Sequence, residues 1–173
     1  MSKVKFGVIG AGGIARRKTI PGMLQADNIE LAAVMDPVGI EEIAAEFGVP
    51  RACTTVEELL SDPELQAVYI ASPVSMHLAQ IKACATAGKH VLCEKPLTLS
   101  LAETHEAVAA CSAAGVFLQE GYMMKFHGAH QAIRQAIEAG QIGTIVYMRA
   151  QLSCWYPPIP GAWRQDPASG GGG

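Results

Sequence analysis

Glu94, Lys95 and Pro96 follow the apolar stretch Val91-Leu92-Cys93, so an acid, an amine and a chain-stiffening proline meet at one point. A lysine placed there can, as the ammonium, donate a hydrogen bond to a reacting oxygen and polarise a carbonyl during reduction, or, as the neutral amine, take up an alcohol's proton during oxidation. Proton transfer needs a suitable pKa, which burial or a cofactor held nearby would bring toward neutrality. Lys95 is accordingly the catalytic candidate, Glu94 is placed to orient a ribose or the lysine, and Pro96 stiffens the turn. On an ordinary surface loop the same triplet would be solvated charge, so its meaning depends on what else the chain brings to it.

Near the amino terminus Gly10-Ala11-Gly12-Gly13-Ile14-Ala15 fits G-x-G-x-x-A. In that pattern the first glycine permits a tight turn, the second removes a side chain that would block a phosphate, and the alanine lets helix pack on strand. Gly10, Gly12, Gly13 and Ile14 are therefore expected to bring backbone amides to a pyrophosphate at a helix start. The other reading is a glycine-rich turn that only serves helix packing. Asp36 closes the next apolar stretch, where a carboxylate accepts from both ribose hydroxyls of an adenosine and repels a 2′-phosphate. This favours NAD, although Arg16 and Arg17 keep NADP open and Asp36-Pro37 is also a common way to begin a turn. Ser72, before Pro73, stands at the end of a further core segment and is expected to line the same groove. His77, at a helix start, either reaches a ribose or caps locally.

These residues need elements that carry them to one place. Val4 to Ile9 reads as a strand buried on both faces. A helix is expected over 14–24, interrupted by Pro21 near its end, then a strand over 31–35 and a helix over 40–47 closed by Gly48. Thr55 with Glu58 and Ser100 with Glu103 are capping boxes, each pairing a hydroxyl with a carboxylate three positions on. Strands over 67–71, 90–93 and 116–119 alternate with helices over 77–87 and 101–114. Such alternation predicts an α/β fold, a doubly wound parallel sheet of Rossmann type. After Gly121 the rhythm changes: a helix over 130–139 precedes a longer strand over 144–153 whose alternating residues suit a sheet with one wetter face. The expected division is a dinucleotide-binding domain over 1–121 and, over 122–173, the start of a second, unfinished domain.

With 173 residues the chain can bury a core without disulfides, and half of it is hydrophobic. Formal net charge is -3 with only 17% charged residues and no basic stripe, which argues against nucleic acid as a partner. The five cysteines form no CxxC pair and no cluster with histidine, so no metal site is expected and reduced thiols in a cytoplasmic protein fit best. No apolar run approaches the roughly 20 residues of a membrane span.

Taken together the chain resembles the Gfo/Idh/MocA family of nicotinamide-dependent oxidoreductases. The resemblance rests on the 6–15 segment, on Ser72-Pro73 with His77, on the 87–96 string Ala-Gly-Lys-His-Val-Leu-Cys-Glu-Lys-Pro, and on the 121–127 segment. It implies a Rossmann domain followed by an α/β domain with a large open sheet that holds a sugar, cyclitol or related polyol and builds homo-oligomers. It further implies that Lys95 is the catalytic lysine, that Ser72, Pro73 and Glu94 line the cofactor site, and that Trp163 and Arg164 approach the cofactor. Val74, Lys125 and Gly128 depart from residues common in the family. Histidine-bearing partners of the lysine are expected beyond Gly173, so the isolated chain is expected to be catalytically incomplete. A non-enzymatic dinucleotide-binding or redox-sensing module is the alternative.

Overall fold

The computed structural model describes residues 2–155, 157–162 and 165–170. They group into two compact units, one running to Gly121 and joined by the stretch from Gly161, the other Tyr122–Pro160.

Six strands build the first unit: β1 (Val4–Ile9), β2 (Ile29–Met35), β3 (Arg51–Cys53), β4 (Ala67–Ile70), β5 (His90–Cys93) and β6 (Leu118–Glu120). Every neighbouring pair is parallel, in the order β3-β2-β1-β4-β5-β6. Because β1 is followed outward by β2 on one side and by β4 on the other, the chain reverses direction across the sheet between β1 and β4. A crevice opens at that point, beyond the carboxyl ends of the strands.

The sheet is covered on both faces, as period-two alternation dictates. Ile9, Val68, Ile70, Val91 and Cys93 pack on one face against Ile81, Cys84 and Ala85 of α4 (His77–Thr86) and Ala107 and Cys111 of α5 (Leu101–Ala113). Val8 and Tyr69 point the other way, against Ala15, against Ile20 and Met23 of α1 (Ile20–Leu24), and against Ile40, Ile43 and Ala44 of α2 (Ile40–Phe47). In β2 the alternation slips: Leu31 and Ala33 belong to opposite faces, because the register with β1 jumps from Phe6↔Leu31 to Gly7↔Ala33 and leaves Ala32 as a bulge.

Several details differ from the expectation. The helical stretch after the glycine turn begins at Ala11 and is wide-wound to Thr19, the Ile20 amide donating to the Ala15 carbonyl five residues back. Pro21 therefore lies in the first turn of α1 rather than near a helix end, where a missing N–H costs nothing. The three-residue β3 escaped the sequence reading because it is too short to show a period. Both capping boxes form: Thr55 caps α3 (Val56–Leu60) by accepting from the Glu58 amide at 3.2 Å, and Ser100 does the same for Glu103 at 3.2 Å. The returning carboxylates reach one residue further than in the simplest box, to the amides of Thr54 and Leu99.

In the second unit α6 (Gly128–Glu138) forms. The strand expected over 144–153 does not: the stretch carries no regular structure and its residues are exposed. Strand conformation is held by a ladder partner, and among the described residues none pairs with it.

Candidate functional site

Parallel pairing aligns Cys53, Met35, Ile9, Ile70, Cys93 and Glu120 in one row across the sheet. The residues just past that row are Thr54, Asp36, Gly10, Ala71, Glu94 and Gly121. Candidates scattered over more than eighty positions of sequence thus emerge side by side on one edge. The opposite edge carries structural work instead: buried Lys89 donates from Nζ to the carbonyls of Asp62 (2.8 Å) and Leu65 (2.7 Å) at the entry to β4.

Gly10 is the tightest point of the crevice. Its φ is +78°, and a Cβ there would lie 2.6 Å from the Ser72 amide nitrogen, so only glycine lets the end of β1 touch the end of β4. Gly12 and Gly13 are exposed beyond it, and a Cβ on Gly13 would meet nothing within 4 Å. The Gly12 amide donates to Asp36 Oδ2 at 3.0 Å, and the Val38 amide to Asp36 Oδ1 at 3.3 Å. Asp36 is thereby turned toward the glycine loop, and Ile14 is half-buried. Of the two arginines that leave a 2′-phosphate open, Arg16 is engaged by α2, donating from Nε to Glu46 (2.7 Å) and from Nη2 to Glu42 (2.8 Å).

On the far side of the crevice Ser72 is buried and its hydroxyl donates to Gln80 Oε1 at 2.5 Å, so its backbone rather than its side chain fronts the groove. Pro73 is half-buried and leads into the turn before α4. His77 lies beneath this surface, 1% exposed, with Nδ1 at 3.0 Å from the Pro96 carbonyl and 3.2 Å from that of Leu97, and Nε2 at 2.9 Å from that of Ser72. The ring ties the β4 turn to the loop after β5, and its partners are these carbonyls rather than the amides of its own helix.

The β5 loop carries the catalytic candidate. The Glu94 amide donates to the Ile70 carbonyl (2.8 Å), the Leu97 amide to Glu120 Oε1 (3.0 Å), and the Gly121 amide to the Cys93 carbonyl (2.7 Å); the Lys95–Pro96 peptide is cis. Lys95 is exposed, and among the described residues its ammonium makes no hydrogen bond or ion pair with a side chain. Glu94 is half-buried: Oε1 accepts from the Tyr69 hydroxyl at 2.7 Å and Oε2 from the Lys95 amide at 3.2 Å. Tyr69 in turn accepts from Thr19 Oγ1 at 3.0 Å. Burial, reinforced by Glu94, holds the Tyr69 hydroxyl above its ordinary range, so it stays a donor. Sequence reasoning passed over Tyr69, Thr19, Gln80 and Glu120; the one available signal was a tyrosine inside the otherwise aliphatic Ala-Val-Tyr-Ile strand. Burial also raises the thiols of Cys53, Cys84, Cys93 and Cys111, Cys84 to about 12, which leaves these four poor nucleophiles.

Trp163 and Arg164 lie outside the described residues. Among those described, no three or more side chains gather that could hold a metal ion, and no helix is long and apolar enough to cross a membrane.

Residues 4–122 match the model of an oxidoreductase family with an NAD-binding Rossmann fold, named GFO_IDH_MocA, and residues 130–173 match a GFO/IDH/MocA C-terminal domain. The chain is 37% identical over 171 residues to 1,5-anhydro-D-fructose reductase of Ensifer adhaerens, covering 98% of this chain and 51% of that protein. It is 37% identical over 169 residues to an NADP(+)-named D-xylose 1-dehydrogenase of Haloferax volcanii, covering 96% of this chain and 51% of that one. Among solved structures, an aldose-aldose oxidoreductase from Caulobacter crescentus superposes with a TM-score of 0.84 at 27% identity, covering 99% of this chain and 52% of that one. The chain spans about half the length of the curated relatives it matches.

Proposed function

The chain belongs to the Gfo/Idh/MocA oxidoreductase family, and from that membership we propose that its crevice holds a nicotinamide dinucleotide for hydride transfer to or from a sugar, cyclitol or related polyol. The observation that carries this reading is the shared row of strand ends, along which Asp36, Gly10, Ala71-Ser72 and Glu94-Lys95 follow one another on one edge, and this order suits ribose, pyrophosphate and nicotinamide half in turn. The residues fit the cofactor: Gly10 admits no side chain, Gly13 faces open space, and Asp36 stands where an adenosine ribose would present its hydroxyls. When bound, the nicotinamide ring supplies or accepts the hydride.

The remaining work falls to the chain. Gly10, Gly12, Gly13 and Ile14 cradle the pyrophosphate at the start of the first helical stretch. Asp36 binds the adenosine ribose and repels a 2′-phosphate, which makes NAD the preferred form even though one relative is named for NADP(+). Ser72 and Pro73 wall the groove, and Glu94 orients the nicotinamide ribose. Lys95 donates a hydrogen bond from Nζ to the reacting oxygen, delivering a proton during reduction and receiving it during oxidation. Residues 1–121 form the cofactor domain and 122–173 begin the substrate domain, a division that the second family match supports. The five free cysteines suit a reducing cytoplasm. A homo-oligomer acting on a small polyol, without nucleic acid or membrane, completes the reading.

A second reading, a dinucleotide-binding module without turnover, draws on Lys95 having no described side chain with which to exchange a proton. A screen of the protein against aldoses, ketoses and cyclitols with NAD and with NADP separates the two. Turnover with a carbohydrate, reduced by about 10²- to 10⁴-fold in Lys95→Ala with NADH binding retained, supports the oxidoreductase. Undiminished turnover in that variant would remove Lys95 from the chemistry.

A further inference from the structure

The buried phenol of Tyr69 is a polar atom in an apolar layer. An unbonded hydroxyl in such a place is unfavourable, and phenylalanine would fill the same volume without one. Its presence asks what the hydroxyl holds, and the answer is Glu94, at 2.7 Å, on the loop that bears Lys95. An ionised carboxylate can only accept, so Tyr69 must donate to it. Thr19 must then donate to Tyr69, at 3.0 Å. The order of the three groups is thus fixed by the charge at one end: Thr19 in the stretch after the dinucleotide loop, Tyr69 in β4, Glu94 past β5.

We propose that Tyr69, backed by Thr19, is a positioning residue for Glu94, holding Oε1 beneath the sheet edge so that Oε2 is presented to the nicotinamide half of the dinucleotide. Oε2 accepts from the Lys95 amide at 3.2 Å and keeps capacity for a second donor such as a ribose hydroxyl. Gly121 closes the other flank, since a Cβ there would stand 3.7 Å from Glu94 Oε1. The relay joins the helical stretch that follows the pyrophosphate turn to the loop that carries the reaction, so the two halves of the crevice share one hydrogen-bonded support. Adenosine binding, at the Asp36 side, lies outside it.

This inference rests on the reading that the crevice takes a nicotinamide dinucleotide, and the test separates the two. NADH affinity is measured by fluorescence titration and ADP affinity by calorimetry, for the parent chain and for Tyr69→Phe, with circular dichroism confirming the fold. The expected result is a roughly 5- to 30-fold weaker NADH complex with ADP affinity within about twofold, the loss of one charge-assisted hydrogen bond at one end only. Glu94→Ala is expected to reproduce the selective loss, and the double variant to be no weaker than the poorer single one, since Tyr69 acts only through the Glu94 carboxylate. If Tyr69→Phe does not fold, Thr19→Val reads the same relay, with a smaller but equally selective loss. Equal weakening of NADH and ADP, or no change in either, overturns the positioning role. Failure of the parent chain to bind NADH overturns the dinucleotide reading itself.

Discussion

At Asp36 two backbone amides hold the carboxylate toward the glycine loop, and in the proposed function this side chain selects between the dinucleotides. Asp36→Ser removes both the ribose acceptor and the repulsion of a 2′-phosphate. The preference for NADH over NADPH, measured as a ratio of dissociation constants, is expected to fall by about 10-fold or more, equivalent to about 1.4 kcal/mol. The cysteines supply a pH dependence. Cys84 is raised from an ordinary 9.0 to about 12 by burial, so above pH 9 the unfolded chain releases its proton before the folded one does. The folded state then binds more protons, the slope of stability against pH is negative, and the thermal midpoint is expected to decline as pH climbs from 9 toward 12. A Cys84→Ala variant, compared at pH 8 and pH 11, is expected to decline less steeply. Lys95 and Asp36 were legible in the sequence because each ends an apolar run. Tyr69 was not, because its partners Thr19 and Glu94 lie fifty residues before it and twenty-five after it, and only the sheet brings them together.

Two junctions between elements carry the crevice. Gly10 combines a left-handed φ with a backbone neighbour that a Cβ would strike, so Gly10→Ala is expected to cost about 2–5 kcal/mol. Gly39, at φ +66° with open space around its Cβ position, isolates the conformational part. There alanine is expected to cost only about 1–2 kcal/mol. The second junction is His77, whose loss leaves the carbonyls of Ser72, Pro96 and Leu97 without the ring. His77→Ala is expected to lower stability by about 2–4 kcal/mol, read as a fall of roughly 5–15 °C in thermal midpoint. Strand and helix alternation, both caps and the glycine turn were readable because each is written in local chemistry. The Ala32 bulge was not, since a register slip depends on what β1 offers opposite it. His77 illustrates the boundary: its position at a helix start was visible, while its burial followed from the β5 loop folding over it.

At the scale of the whole molecule, the Rossmann unit contains its own two-faced core, whereas the described part of Tyr122–Pro160 exposes Val146, Leu152 and Trp155 at 94%, 91% and 84%. The strand expected over 144–153 is not found, because alternation specifies only which faces differ and cannot supply a partner for the ladder. Amide hydrogen exchange is therefore expected to show strong protection in β1 and β4 and near-free exchange across 144–155. The chain spans about half the length of its curated relatives, so cofactor binding is the property that these residues themselves must display. Titration of the chain with NADH, followed by energy transfer to the nicotinamide, tests that most directly. Saturable binding in the micromolar range, abolished or greatly weakened by Gly12→Val, is the expected result; absence of binding at millimolar NADH would contradict the account.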